Sequence, residues 1–297
     1  MNKYYKKGGK MYLSGFADEA ATGIDDQIKA TQTLGWKYIE ARNIDNTNIH
    51  DLGEEEFETV CEKLQNTGIG INCFGSTIAN WAKAINEPFD SSIEEAERAI
   101  PRMKRLGTKL IRIMSFAVLA DRSPEDQLET ERFRRMSILC RIFTDEGLLP
   151  LHENCMNYGG MGWEYTMRLL EAVPDLKLVF DTGNPCLKAP NSSRQSSWEF
   201  YSHVKEHIAH VHIKDLVWDE TEDAPVYTFP GEGDGEVKRI LKDLLASGYD
   251  GGITIEPHME VVFHDASVTS QVQNRFDNYV EYGRRLEKLL AGVKKEL

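Results

Sequence analysis

The sequence lacks any apolar run near the ~18 residues that a membrane-crossing helix needs, so no helical span is expected. It also shows no basic and apolar leader ahead of its first hydrophobic stretch, which points to a soluble, cytoplasmic protein. Cysteine is sparse. The five residues Cys61, Cys73, Cys140, Cys155 and Cys186 are odd in number, scattered and free of CxxC pairing, which excludes a disulfide scaffold and a thiolate metal site. Positive charge is in short supply, with Lys+Arg 35 against Asp+Glu 48 and a net charge of -13. Such a surface repels a phosphate backbone, so nucleic acid is excluded as a partner. The one basic cluster, Lys3, Lys6, Lys7 and Lys10, reads as a solvated tail over residues 1–11. No Pro/Gly/Ser-rich linker divides the chain, which reads as one domain over 1–297. A dinucleotide fingerprint is missing too. Ser14-Gly15-Phe16-Ala17-Asp18 follows the first apolar run without the glycine spacing that an open Rossmann sheet requires.

What is present is an alternation. Short, nearly continuous apolar runs read as buried parallel strands at Tyr12–Phe16, Tyr38–Ala41, Gly70–Phe74, Leu110–Met114, Leu148–His152, Leu178–Phe180, Ala209–Ile213 and Gly252–Ile255. Helical patterns separate them: Ile24–Leu34, Glu54–Gln65, Ser92–Leu106, Leu128–Glu146, Trp163–Val173, Trp198–His207, Gly235–Ser247 and Gln273–Leu290. Ser92 with Glu95 has the spacing of a capping box. Gly35, Gly68, Gly107 and Gly147 stand where helices should stop. A strand–helix pair repeated eight times predicts an α/β protein, a single-domain (β/α)8 TIM barrel. Two long connections, 185–197 and 216–234, follow strands and therefore belong on the catalytic face. Trp218, Tyr227 and Phe229 in the second predict a packed lid.

Four of the strand runs end in a side chain able to bind a metal. They are Glu153 in His152-Glu153-Asn154, Asp181 in Phe180-Asp181-Thr182, His212 in His210-Val211-His212, and Glu256 in Ile255-Glu256-Pro257. One carboxylate at a strand end is commonly a cap or a surface group. Four in succession at strand–helix spacing share a destination, because alternation can turn all of them toward the barrel axis. Three carboxylates and one imidazole suit one divalent ion, Mn2+ first, with Mg2+, Co2+ or Zn2+ as alternatives. Without an ion, three converging carboxylates would repel one another and take up protons.

These motifs, with Phe180-Asp181-Thr182-Gly183-Asn184, Val211-His212-Ile213-Lys214-Asp215, Ile255-Glu256-Pro257-His258 and Gly231-Glu232-Gly233-Asp234-Gly235, resemble the xylose isomerase-like TIM barrels of the sugar phosphate isomerase/epimerase branch. The likeness runs from Ser14 to about His258. It implies a divalent-metal-dependent isomerase or epimerase acting on a keto sugar or related polyol through a metal-stabilised enediolate, with Glu153 and Glu256 as ligands that also move protons. A lyase is the alternative: the same enediolate can expel a leaving group, as in an inosose-type dehydratase or a C-glycoside-cleaving subunit acting on 3-keto sugars. Asn184 stands where sugar epimerases of this type carry a substrate-contacting histidine. Gly159 stands where they carry a second glutamate, and Lys214-Asp215 looks more like the dehydratase members.

Further substrate contacts are expected from Asn184, Lys214, His258 and Trp218, and from His152 if its ring turns into the site rather than into the protein. Glu40 and Arg42 share a face and are expected to pair with each other; Trp81 is placed to stack on a sugar or to pack. A multi-zinc phosphodiesterase of the same fold group would need more histidines at strand ends than this chain supplies among its 8. The partner is expected to be a small carbohydrate, with a homo-oligomer or a partner subunit as the protein-level possibilities.

Overall fold

In the computed structural model, residues 11–188, 193–259 and 272–297 are described. The basic cluster of the expected tail lies outside them. Eight strands form one parallel sheet: β1 (Tyr12–Gly15), β2 (Tyr38–Ala41), β3 (Gly70–Gly75), β4 (Leu110–Ile113), β5 (Leu149–Glu153), β6 (Lys177–Asp181), β7 (Ile208–Ile213) and β8 (Gly252–Ile255). Their spatial order is β1-β8-β7-β6-β5-β4-β3-β2. A single parallel bridge from Phe16 to Glu40 joins the two ends and closes the barrel. Among the described residues there are eight α-helices: α1 (Ile24–Thr33), α2 (Glu54–Thr67), α3 (Asp90–Leu106), α4 (Glu129–Asp145), α5 (Trp163–Ala172), α6 (Ser197–Val204), α7 (Val237–Ala246) and α8 (Val272–Lys295). The expected (β/α)8 architecture is therefore present.

The strands form because their residues face apolar surroundings on both sides. Ile111, Ile113, Phe180, Val211, Ile213, Ile253 and Ile255 point outward and are buried under Leu139, Phe143, Leu169, Phe200, Ile240 and Leu244 of the helices. Each such side chain contributes about 1.5–3 kcal/mol. Inside the barrel, Leu149, Leu151, Val179 and Ala209, with Leu110 packed on them, make a small separate apolar plug. Above that plug the barrel interior carries a dense set of buried polar side chains.

Helix boundaries differ from expectation by a few residues at several ends, and at α3 the difference bears on a motif. α3 begins at Asp90, two residues before Ser92, and its N-cap is Phe89 with no side-chain bond; Ser92 is buried inside the first turn. The capping-box spacing there is a coincidence of composition. A true capping contact lies at α2, where Glu56 Oε2 accepts the Gly53 N–H at 2.9 Å. Gly68 and Gly107 do stop their helices, at φ 69° and 70°, the left-handed region that glycine enters without strain. The connection after β7 is not a plain loop. Asp215–Asp219 and Ala224–Thr228 pair as an antiparallel ribbon standing on the catalytic face.

Candidate metal centre

Register places the four expected ligands side by side. In the ladder Glu153 faces Val179, Asp181 faces His212, and His212 faces Thr254, so β5 to β8 present their ends in sequence. Glu256 is the first residue beyond β8, and its N–H donates to Ile213 O at 3.0 Å, fixing it beside β7. Each of Glu153, Asp181, His212 and Glu256 offers an atom within 4.8 Å of the others, and all four are buried. His212 Nδ1 lies 3.1 Å from Glu153 Oε1 and 3.6 Å from Glu256 Oε2. Asp181 is held by its neighbours: Oδ1 accepts from the Gly183 and Asn184 N–H groups at 2.8 and 2.7 Å. Asn154 exchanges two bonds with the Asp181 backbone, at 2.7 and 3.0 Å, locking the end of β6 to the end of β5.

Two acceptor atoms make no hydrogen bond and face only side-chain cations. Glu153 Oε2 and Asp181 Oδ2 are buried and have no hydrogen-bond partner. A buried carboxylate oxygen without a donor costs several kcal/mol unless a cation takes it. This donor set therefore fits one divalent ion with mostly oxygen ligation. Side-chain cations sit around the same atoms. Lys214 Nζ lies 3.2 Å from Asp181 Oδ2 and 3.3 Å from Glu256 Oε2, and Arg112 Nη1 lies 3.1 Å from Glu153 Oε2.

The electrostatics follow from this crowding. Burial pushes the Asp181 carboxyl up to about 7; Lys214 opposes the rise, and the neighbouring Glu256 and Glu153 add to it. Burial works the same way on Glu256, but Lys214, His258, His212 and Arg42 together hold it well below the usual carboxylate range. For Glu153, Arg112 and His212 likewise outweigh burial and lower it. Burial would depress the His212 imidazolium, yet Glu40 and Glu153 raise it to about 10.

Beneath the quartet lies a polar layer that the sequence reading missed. Glu40 Oε1 is 3.1 Å from His212 Nε2, while Glu40 Oε2 meets His210 Nε2 and Thr254 Oγ1, each at 2.7 Å. Thr254 Oγ1 in turn meets Ser14 Oγ at 2.7 Å. The expected Glu40–Arg42 pair is not formed, because the two side chains reach different heights in the barrel. Arg42 instead binds Asp18 (2.9 Å), Glu19 (3.1 Å) and Glu256 (3.1 Å).

A cavity of about 240 Å3 opens over the quartet, lined among others by Trp81, Arg112, Asn184, Lys214, Glu256 and His258. Asn184, Lys214 and His258 thus line the cavity. Trp81 is 37% exposed there, a wall residue and not a core one. His258 spans two acids, with Nδ1 3.1 Å from Glu19 and Nε2 3.6 Å from Glu256. His152 is placed elsewhere. Its ring is fully buried, with Nε2 3.0 Å from Ser115 Oγ and 3.1 Å from Asn157 Oδ1, and it does not line the cavity. Gly159 belongs to that arrangement: a Cβ there would lie 2.3 Å from the His152 ring, so a glutamate has no room. Trp218 sits on the ribbon, packed with Cys186, Leu187, Leu216 and Tyr227, and Arg194 lies over its ring.

Asp215 organises the rim. Its carboxylate accepts the N–H groups of Gly231, Gly233 and Gly235 at 2.8, 3.1 and 2.9 Å, so the glycine run is a loop wrapped on one acid. A Cβ at Gly233 would lie 2.4 Å from Asp215 Oδ1, which explains the glycine at that position.

An eight-stranded parallel barrel with a buried Glu-Asp-His-Glu cluster at the strand ends defines a class of metal-site barrels. The chain belongs to the xylose isomerase-like TIM barrel family, whose model matches residues 28–279. Solved structures share the fold. A xylose isomerase domain protein from Planctomyces limnophilus is 16% identical at a TM-score of 0.69, covering 98% of this chain and 99% of that one. A D-tagatose 3-epimerase-like protein is 16% identical at a TM-score of 0.71 (96% and 99%). The probable 3-DHS dehydratase AsbF from Bacillus anthracis is 15% identical at 0.69 (94% and 99%). At these identities the likeness is one of fold. No curated protein matches the sequence. Among the described residues no helix is long and apolar enough to cross a membrane.

Proposed function

We propose that this protein is a divalent-metal-dependent isomerase or epimerase acting on a keto sugar or related polyol. The observation that carries this reading is the double placement of Glu153 and Glu256. Both belong to the buried quartet and both line the cavity. Each can hold the ion with one oxygen and meet a substrate proton with the other. Bound there, a divalent ion, Mn2+ as first choice, supplies Lewis acidity that acidifies the C–H beside a carbonyl.

The residues of the chain do the rest. Glu256, held ionised by Lys214, His258, His212 and Arg42, is poised to accept a proton. His258 and Glu19 continue from it as a short chain along which charge can be balanced. Glu153, steadied by Arg112, would take the complementary role, giving carbon a proton that it first takes up from a substrate hydroxyl or solvent, while the proton on Glu256 leaves to solvent. Lys214 and Asn184 reach the cavity and can hold substrate oxygens. Trp81 offers an apolar face to the C–H side of a sugar.

The test is a screen of keto sugars, inosose and 3-keto glycosides with metal-supplemented protein in deuterated water. Deuterium gained at carbon, with no loss of water or aglycone, is the expected result. Loss of water or aglycone would assign the lyase reaction. A panel with no deuterium uptake and no product would overturn proton transfer as the activity.

A further inference from the structure

Buried polar atoms around the cavity divide into two sets. The acceptors without partners, Glu153 Oε2 and Asp181 Oδ2, are accounted for by a cation. Among the described residues that line the cavity, two donors lack partners: Arg112 Nε and Asn184 Nδ2. Arg112 is 6% exposed. Its Nη2 donates to Ser76 O at 3.2 Å and its Nη1 faces Glu153, leaving the Nε edge unused. The ring of Phe16 lies 5.4 Å below the guanidinium and holds its plane. A buried guanidinium N–H and a buried amide N–H without partners, on two residues of one cavity, call for an oxygen-rich guest, and a guanidinium favours an anionic oxygen.

A cavity of about 240 Å3 admits a compact molecule. The planar fork of arginine matches the planar carboxylate.

We infer that the substrate is a carboxylate-bearing polyol, a keto acid of sugar type, with its carboxylate held by Arg112 and Asn184. The inference rests on the proposed function only in placing ligand and ion in one cavity. It is tested without turnover. Isothermal titration of the Mn2+-loaded protein with gluconate and with glucitol compares two polyols that differ by one carboxylate and contain no carbonyl. Failure of the proton-transfer reading would leave this comparison untouched.

Gluconate should bind about tenfold to a hundredfold more tightly than glucitol, the range for a hydrogen bond to a charged group. Arg112→Met should bring the two within about twofold while Mn2+ still binds. Equal affinities in the unmodified protein, or a preference that survives Arg112→Met, would overturn the assignment; in the second case the ion alone selects the anion. Tighter binding of glucitol 6-phosphate than of gluconate would overturn the carboxylate. Should Arg112→Met lose Mn2+, Arg112→Lys carries the test. It keeps the charge without the fork, so the preference must fall by about threefold or more, and an unchanged preference overturns the inference.

Discussion

Glu40 lies directly below His212, its Oε1 3.1 Å from Nε2, while Nδ1 of the same ring faces Glu153 at 3.1 Å. The two nitrogens are thereby divided between Glu40 and the quartet, and Glu40 sets which one is offered upward. Replacing Glu40 by Gln puts an amide N–H against His212 or against the His210–Thr254 side. Affinity for Mn2+, measured by titration calorimetry, should fall about tenfold to a hundredfold. An unchanged affinity would show that backbone and packing alone hold the ring.

Glu256→Gln keeps the length of the side chain and one oxygen but cannot take a proton. Turnover in the deuterium assay should fall about a hundredfold or more, and metal content must be measured on the same sample. Full activity with normal metal content would remove Glu256 from proton transfer.

His152 gives a pH dependence of stability. Burial pushes its imidazole down to about 4 from an ordinary 6.5, against the raising influence of Asn157 and Glu153. Between these values the unfolded chain takes up a proton that the folded one refuses, so stability falls as pH falls from 6.5 toward 4. The loss amounts to about 3 kcal/mol. Urea melts across this range should show the slope, and His152→Gln should flatten it by one proton. A slope that persists unchanged in the variant would assign the effect to another group.

Trp218 and Phe229 take different positions on the rim. Trp218 packs within the ribbon, and Phe229 leans on Tyr282 with Arg285 over its ring. If the ribbon closes over substrate, Trp218→Ala raises KM or lowers kcat with Mn2+ binding intact. Normal kinetics combined with a smaller species on a sizing column would make the ribbon an interface between subunits.

The barrel was legible because its signals are local. Each strand is a short apolar run, and the structure moves most of their ends by only a residue or two: the fifth reaches Glu153 and the sixth spans Lys177–Asp181. The quartet was legible for the same reason, since a ligand one residue beyond an apolar run needs only alternation to aim it. The roles of Glu40 and Arg112 were not. Alternation says which face a side chain takes but not its height. Glu40 meets His210 from 170 positions away, a contact that no single sequence reports. Arg112 reads as a polar interruption within Leu110-Ile111-Arg112-Ile113, and only closure of the barrel gives it Glu153 as a neighbour. Ser92 failed in the opposite sense, its spacing matching a motif whose helix starts two residues earlier.

Between β1 and β2 the backbone contributes one bridge, Phe16 to Glu40. Across that seam Arg42, just beyond β2, grips Asp18 and Glu19, just beyond β1. The clasp that fastens the barrel there is a side-chain one, and its third arm is Glu256. Mechanical closure and metal chemistry therefore share a guanidinium. A change that loosens the seam reaches Glu256 in the quartet, and a change at Glu256 reaches the seam. The weakest joint of the barrel is in this way coupled to the quartet.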